Sequence, residues 1–244
     1  MTSRTSLSSG ADEYSESAPS RTLTAHTAAD LQRIYDARFS GRLEYRKAVW
    51  SALVTDWFGK YVRPGDSVLD LGCGYGEFIN TIACSRKYAM DLNPDILRFL
   101  GADVTPLLQD CSAQWQLPDA SLDVVFTSNF FEHLPDKGAL GRALDEIRRC
   151  LRPGGRLVAM GPNVKYLPGE YWDFWDHHVA LTEASLTEAL VTRGFSAHVC
   201  IKRFLPYTMA TDRRYPIIFL RAYLKLPWVW PIFGKQFLVV GVRP

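Results

Sequence analysis

The 244-residue chain lacks several features that would place it quickly. No apolar run approaches the roughly 18 residues of a spanning helix, so no helical membrane span is expected. No charged stretch near the start leads into an apolar core, so no export leader is expected and the cytoplasm is the expected compartment. The five cysteines, Cys73, Cys84, Cys111, Cys150 and Cys200, are scattered and form no C-x-x-C pair. They read as reduced thiols rather than as a disulfide framework. Strong charge of one sign is missing as well, because the formal net charge is only +2. With no recognition motif in view, nucleic acid is not an expected partner. Also absent is the dinucleotide-binding spacing G-x-G-x-x-G.

What is present is a globular composition, 47% hydrophobic, on a chain long enough for one α/β domain with extras. Its organising stretch is Val68 to Phe78, V-L-D-L-G-C-G-Y-G-E-F. An apolar run with an acid near its end stops at three glycines, and a helix is expected next. Such a strand, tight turn and helix start is where a ligand meets backbone N–H groups. Asp70, at the mouth of the turn, would repel a pyrophosphate and welcome an ammonium. Asp91, in A-M-D-L-N-P-D, stands where an acid at the end of a second strand can bind ribose hydroxyls. One carboxylate for an ammonium and one for a ribose describes S-adenosylmethionine (SAM) better than NAD.

With L-R-P-G-G-R-L-V further on, these stretches resemble the first, second and post-core motifs of class I SAM-dependent methyltransferases, over about Arg42 to Arg203. The likeness is to small-molecule enzymes similar to those of bacterial polysaccharide and natural-product pathways. It implies an α/β fold: a Rossmann-like seven-stranded sheet, last strand antiparallel, with helices on both faces. It also implies SAM as cofactor, held by Asp70, Gly72, Cys73, Gly74, Asp91, Leu92, Asp110, Cys111, Asn129 and Phe130. Arg46 and Tyr45, on a helix before the first strand, would reach the methionine carboxylate. Asp110 could equally cap the short segment after it, and the plainer reading of the cover helix is that Arg46 is solvated and Tyr45 is core.

The expected organisation is a disordered tail over 1–25, a helical cover over 26–62 and the methyltransferase domain over 63–244. Within the cover, helices are expected over Thr27 to Phe39 and Leu43 to Tyr61. In the domain, a helix runs to about Cys84, and Asn93-Pro94 starts another. Leu122 to Ser128 is a continuous apolar strand, as in the middle of a parallel sheet. It leads into Ser128-Asn129-Phe130-Phe131-Glu132-His133 at the strand's carboxyl end. Further strands are expected over Phe195 to Phe204 and Gln236 to Val242.

Residues 163–181 form the expected acceptor-site loop, rich in aromatic residues, acids and histidines. Methyl transfer to a hydroxyl needs a base, and a histidine beside a carboxylate suits that task. Asp176 with His177 or His178 is the expected pair. Adjacent histidines rarely face the same way, and His178 is preferred. His133 is a second candidate base, with a structural or cofactor-side role preferred. Asp and His with Glu170 have the donor types for a divalent ion, but the spacing is not diagnostic and no metal is assigned.

Residues 205–235 form an amphipathic insertion that mixes aromatic and basic residues. From Lys202 to Pro244 there are eight Lys/Arg and one acid. A lid, a partner surface or a peripheral membrane contact would each use such a segment. The expected partner is a small acceptor, a sugar or lipid-linked compound, methylated on oxygen. The alternatives are an N- or C-methyltransferase and a SAM-binding scaffold without turnover.

Overall fold

The computed structural model describes residues 43–207 and 214–244. The expected tail, the helix at Thr27 to Phe39 and Arg213 lie outside these residues.

Seven strands form one sheet in the order β3-β2-β1-β4-β5-β7-β6. They are β1 (Ser67–Leu71), β2 (Arg86–Asp91), β3 (Val104–Leu108), β4 (Leu122–Ser128), β5 (Leu151–Pro162), β6 (Ser196–Ile201) and β7 (Gln236–Val242). β1 to β5 pair in parallel, while β7 runs antiparallel to both β5 and β6. The expected sheet, antiparallel last strand included, is the one observed.

Every residue of β1 is buried, and β4 is apolar and buried over Val124 to Phe126 because helices cover both faces. Leu69 and Leu71 enter one layer with α3 (Lys137–Cys150) and α4 (Glu183–Val191). Val68 enters the other, with α1 (Leu43–Asp56), α2 (Glu77–Thr81), α5 (Ile217–Leu224) and α6 (Trp230–Phe233). In α3, Ala139, Leu140, Ala143, Leu144 and Ile147 form the buried stripe of an amphipathic helix. Asp136 caps it by accepting from the Ala139 amide at 2.7 Å. Thr182 and Ser185 form a reciprocal capping box on α4.

Local differences from the sequence reading have local causes. The helix after the glycine turn ends at Thr81, not Cys84, because the Ser85 and Arg86 amides both bond the Asp66 carbonyl and draw the chain into β2. Asn93-Pro94 starts a 3-10 turn, Pro94–Arg98, capped by the Asn93 side chain at 3.0 Å from the Asp95 amide, rather than a full helix. The segment expected as one helix from Leu43 to Tyr61 breaks after α1 and resumes as a 3-10 turn at Phe58–Tyr61. The 205–235 insertion is tied to α1: Arg221 Nη1 contacts both carboxylate oxygens of Asp56 at 2.9 Å. No helix among the described residues is long and apolar enough to cross a membrane.

Candidate active site

The carboxyl ends of β1, β2, β4 and β5 meet on one edge of the sheet, the usual ligand side of an open α/β fold. Gly72 leaves β1 with φ 68°, and a Cβ there would lie 2.2 Å from the Phe130 ring. Only glycine permits both the turn and the ring's approach from the end of β4. The Gly72 and Cys73 amides bond the Met90 carbonyl at 2.9 and 3.2 Å, fixing the turn against β2.

Asp91 closes β2 with both oxygens in use: Oδ2 accepts from the Gly74 amide and Oδ1 from the Asn93 amide, each at 3.0 Å. With the Leu92 amide also bonded to this carboxylate, three of its four lone-pair sites are engaged and one is left for a hydroxyl donor. Burial holds the Asp91 carboxyl above its ordinary range against these amide bonds. Asp70 is 3% exposed and raised further, first by burial and then by the nearby charges of Glu77 and Asp91, against one bond from the Ile79 amide. Three carboxylates thus crowd around the turn. Arg46 faces Glu77, Nε to Oε1 at 2.5 Å. Asn129 adopts φ 50°, and its Oδ1 is buried with no hydrogen-bond partner among the described residues. The left-handed backbone and the orphaned oxygen are strain of the kind that ligand sites hold. Surplus buried negative charge, an orphaned acceptor and a carboxylate lone pair at a strand end fit a cationic amino acid head joined to a nucleoside.

At the end of β4, His133 Nδ1 lies 3.1 Å from Asp176 Oδ2 and 3.0 Å from the Asp176 carbonyl oxygen. Burial of the ring opposes its protonation. The hydrogen bond to Asp176, with Glu132 beside it, outweighs burial and raises the imidazole above its ordinary pKa. His133 is also close enough to Asp91 to act on that carboxyl electrostatically. The 163–181 loop, expected to face the acceptor, is seated in part by its backbone: the His178 and Val179 amides both donate to the Glu132 carbonyl, at 2.8 and 3.1 Å. The Tyr171 hydroxyl donates to the Val179 carbonyl.

The geometry therefore redistributes the expected residues. Asp176 pairs with His133, 43 residues away in sequence. His177 is buried, stacked on Phe174 at 4.9 Å and edge-on to His133 at 4.9 Å. His178 is exposed. Glu170 is held away by Lys235, with both oxygens 2.7 Å from Nζ. The metal-type donors that do come together are Glu132, His133 and His177, within 4.8 Å of one another. Tyr45 bonds the Tyr215 amide and carbonyl at 3.1 Å rather than lying open to a ligand. Asp110 accepts from the Ser112 amide at 2.7 Å, a cap, and burial pushes the Cys111 thiol up to about 12. Leu92 is exposed beside Asp91. Glu77 and Glu132 were not singled out from sequence. The signals available were Glu77 directly after the last glycine and Glu132 beside His133.

A doubly covered sheet with this strand order and this electronegative turn defines a SAM-binding α/β domain. Residues 69–159 match the family model described as methyltransferase domain. Over 140 residues the chain is 34% identical to a Mycolicibacterium smegmatis protein named "Probable S-adenosylmethionine-dependent methyltransferase", covering 54% of this chain and 52% of that one. It is 25% identical over 217 residues to 2-methyl-6-phytyl-1,4-hydroquinone methyltransferase of Synechocystis, 80% of this chain and 62% of the relative. A SAM-dependent methyltransferase structure from Archaeoglobus fulgidus superposes with TM-score 0.61 at 20% identity, covering 88% of this chain and all of that one. The chain spans about half the length of the first of these relatives. The methyltransferase domain, these relatives and the shared fold together support the class I SAM-dependent methyltransferase superfamily, whose cofactor is SAM.

Proposed function

We propose that the protein transfers a methyl group from SAM to a hydroxyl of a small acceptor, with His133 as the base. One observation carries this reading: an imidazole oriented by a buried carboxylate stands at the end of β4, within electrostatic reach of Asp91. When bound, SAM supplies an electrophilic methyl on a sulfonium. Asp70, Glu77 and Asp91 give the pocket its negative potential, and the Asn129 carbonyl adds an acceptor. Phe130 lies over Gly72 and keeps water from that side of the turn.

His133 Nε2 takes the proton of the acceptor hydroxyl as its oxygen becomes nucleophilic. Asp176 holds Nδ1–H and stabilises the imidazolium that forms. Glu132 Oε1, 4.0 Å from Nε2, adds negative potential on the same side. Aromatic Trp172 and Trp175, exposed on the acceptor loop, offer flat faces to a sugar or other ring. The Synechocystis relative is named for a phytyl hydroquinone, a hydroxylated ring with an apolar tail. That name supports a lipid-linked acceptor here.

The test is methyl release from labelled SAM over a panel of sugars, phenols, quinols and amines, with His133→Gln alongside. Turnover on hydroxylated compounds, lowered about 100-fold or more in the variant, is expected for a base. SAM binding without product across the panel would favour the scaffold reading. Product only from amines would favour an N-methyltransferase.

A further inference from the structure

Among the described residues, the outer face of the segment between β6 and β7 is apolar and exposed. On α5, Leu220, Tyr223 and Leu224 turn inward to the layer of Leu53 and Phe58. Ile218, Phe219 and Leu226 take the opposite face, 65%, 62% and 39% exposed, with exposed Lys225 on the same stripe. Trp228, Ile232 and Phe233 continue it beyond the helix, with Trp228 70% exposed. Isolated exposed apolar residues are ordinary, but a contiguous run of large ones marks an interaction surface.

Charge selects the occupant. From Arg214 to Pro244 there is no Asp or Glu, while Arg214, Arg221, Lys225 and Lys235 fall within the segment. Arg221 and Lys235 are paired inward, on Asp56 and Glu170. A second copy docked through this same face would set basic surface against basic surface. Among the described residues of this segment the exposed face carries Trp228, branched apolar residues and Lys225 and no acid, which suits an anionic lipid headgroup layer.

The face is also joined to the acceptor loop. Lys235 grips Glu170 on that loop, and the Arg203 guanidinium sits 4.7 Å over the Tyr166 ring. Arg203 also donates to the carbonyls of Ile232 and Gly234, at 2.8 and 2.6 Å.

We infer that this face docks the protein on an anionic bilayer and that the docked protein draws its acceptor from the membrane. The second half rests on the acceptor reading given above; the first half does not.

The full chain is sedimented with vesicles of phosphatidylcholine, with and without phosphatidylglycerol, at low and high salt. The triple variant Phe219→Ser/Trp228→Ser/Ile232→Ser and the single variant Lys225→Glu are run beside it. SAM calorimetry on each variant checks that the domain is intact. Expected is binding to the phosphatidylglycerol vesicles that weakens with salt and falls at least about tenfold in the triple variant. Lys225→Glu should weaken it less, and SAM affinity should stay unchanged. Wild-type protein left in the supernatant, or a triple variant that binds as well as wild type, overturns the docking. So does a wild-type dimer that the triple variant splits, with no vesicle binding. Because sedimentation involves no turnover, docking can stand while the acceptor reading fails. That outcome would be bound protein that methylates no bilayer-borne hydroxyl compound yet turns over a soluble one.

Discussion

Replacing Asp176 by Asn probes the proposed proton path at its charged contact. His133 Nδ1 lies 3.1 Å from the Asp176 carboxylate and 3.0 Å from the carbonyl oxygen of the same residue. The carbonyl survives the substitution, so the ring keeps its tautomer and its place. What is removed is the negative charge. A hydrogen bond to a charged group contributes about 1.5–3 kcal/mol. At about 1.4 kcal/mol per tenfold, methyl transfer should slow by about 10- to 150-fold.

The same charge raises the imidazole against burial. Without it burial leads, and the pKa falls. A base works deprotonated, so kcat/KM rises with pH through the pKa of His133. In wild type that limb should lie above the ordinary 6.5, and in Asp176→Asn it should move to lower pH. A pH–rate profile of methyl release reads both effects. A wild-type rate with an unmoved limb refutes the base assignment. A slower rate with an unmoved limb would mean that Asp176 serves loop packing alone.

Asp70 supplies a second test. Its carboxyl is raised in the folded protein, so its contribution to stability is complete below its unfolded value of about 3.8 and is lost as pH rises through the folded one. A cation bound beside it favours the ionised carboxyl, so SAM affinity should fall as pH drops through the folded pKa. An affinity independent of pH would contradict this. Gly72→Ala sets a Cβ into the Phe130 ring at positive φ. It should cost about 1–3 kcal/mol of stability and abolish SAM binding, and an unchanged denaturation midpoint would count against that. Dialysis against EDTA should leave turnover intact. A loss restored by a divalent ion would reassign Glu132, His133 and His177 as ligands.

The strands were legible because their cause is local. β1, β4 and β7 are apolar runs bounded by turn residues, and the glycine turn with its acids is readable within two dozen positions. The capping box of Thr182 and Ser185 is equally local. The pairing proposed as the base and its carboxylate was not, because His133 and Asp176 are 43 residues apart and meet only where β4 and β5 end side by side. Adjacency in sequence favoured His177 and His178, but the turn of the loop buries one ring and exposes the other. Glu77 escaped notice because its role is electrostatic and appears only when Asp70 and Asp91 are seen beside it. The 3-10 turn after Asn93 could not be told from a helix start, since the same cap and proline open both.

The Glu132 carbonyl that receives two amides of the acceptor loop has an evolutionary consequence. Peptide groups, present whatever the side chains, supply that seat. Residues such as Trp172 and Trp175 can therefore be exchanged without unseating the loop. A chimera that keeps Tyr171 and Phe174 but carries other residues at Trp172, Asp173 and Trp175 should fold on this scaffold and, on the reading proposed above, accept a different compound, which makes these exposed positions a natural cassette for diversification.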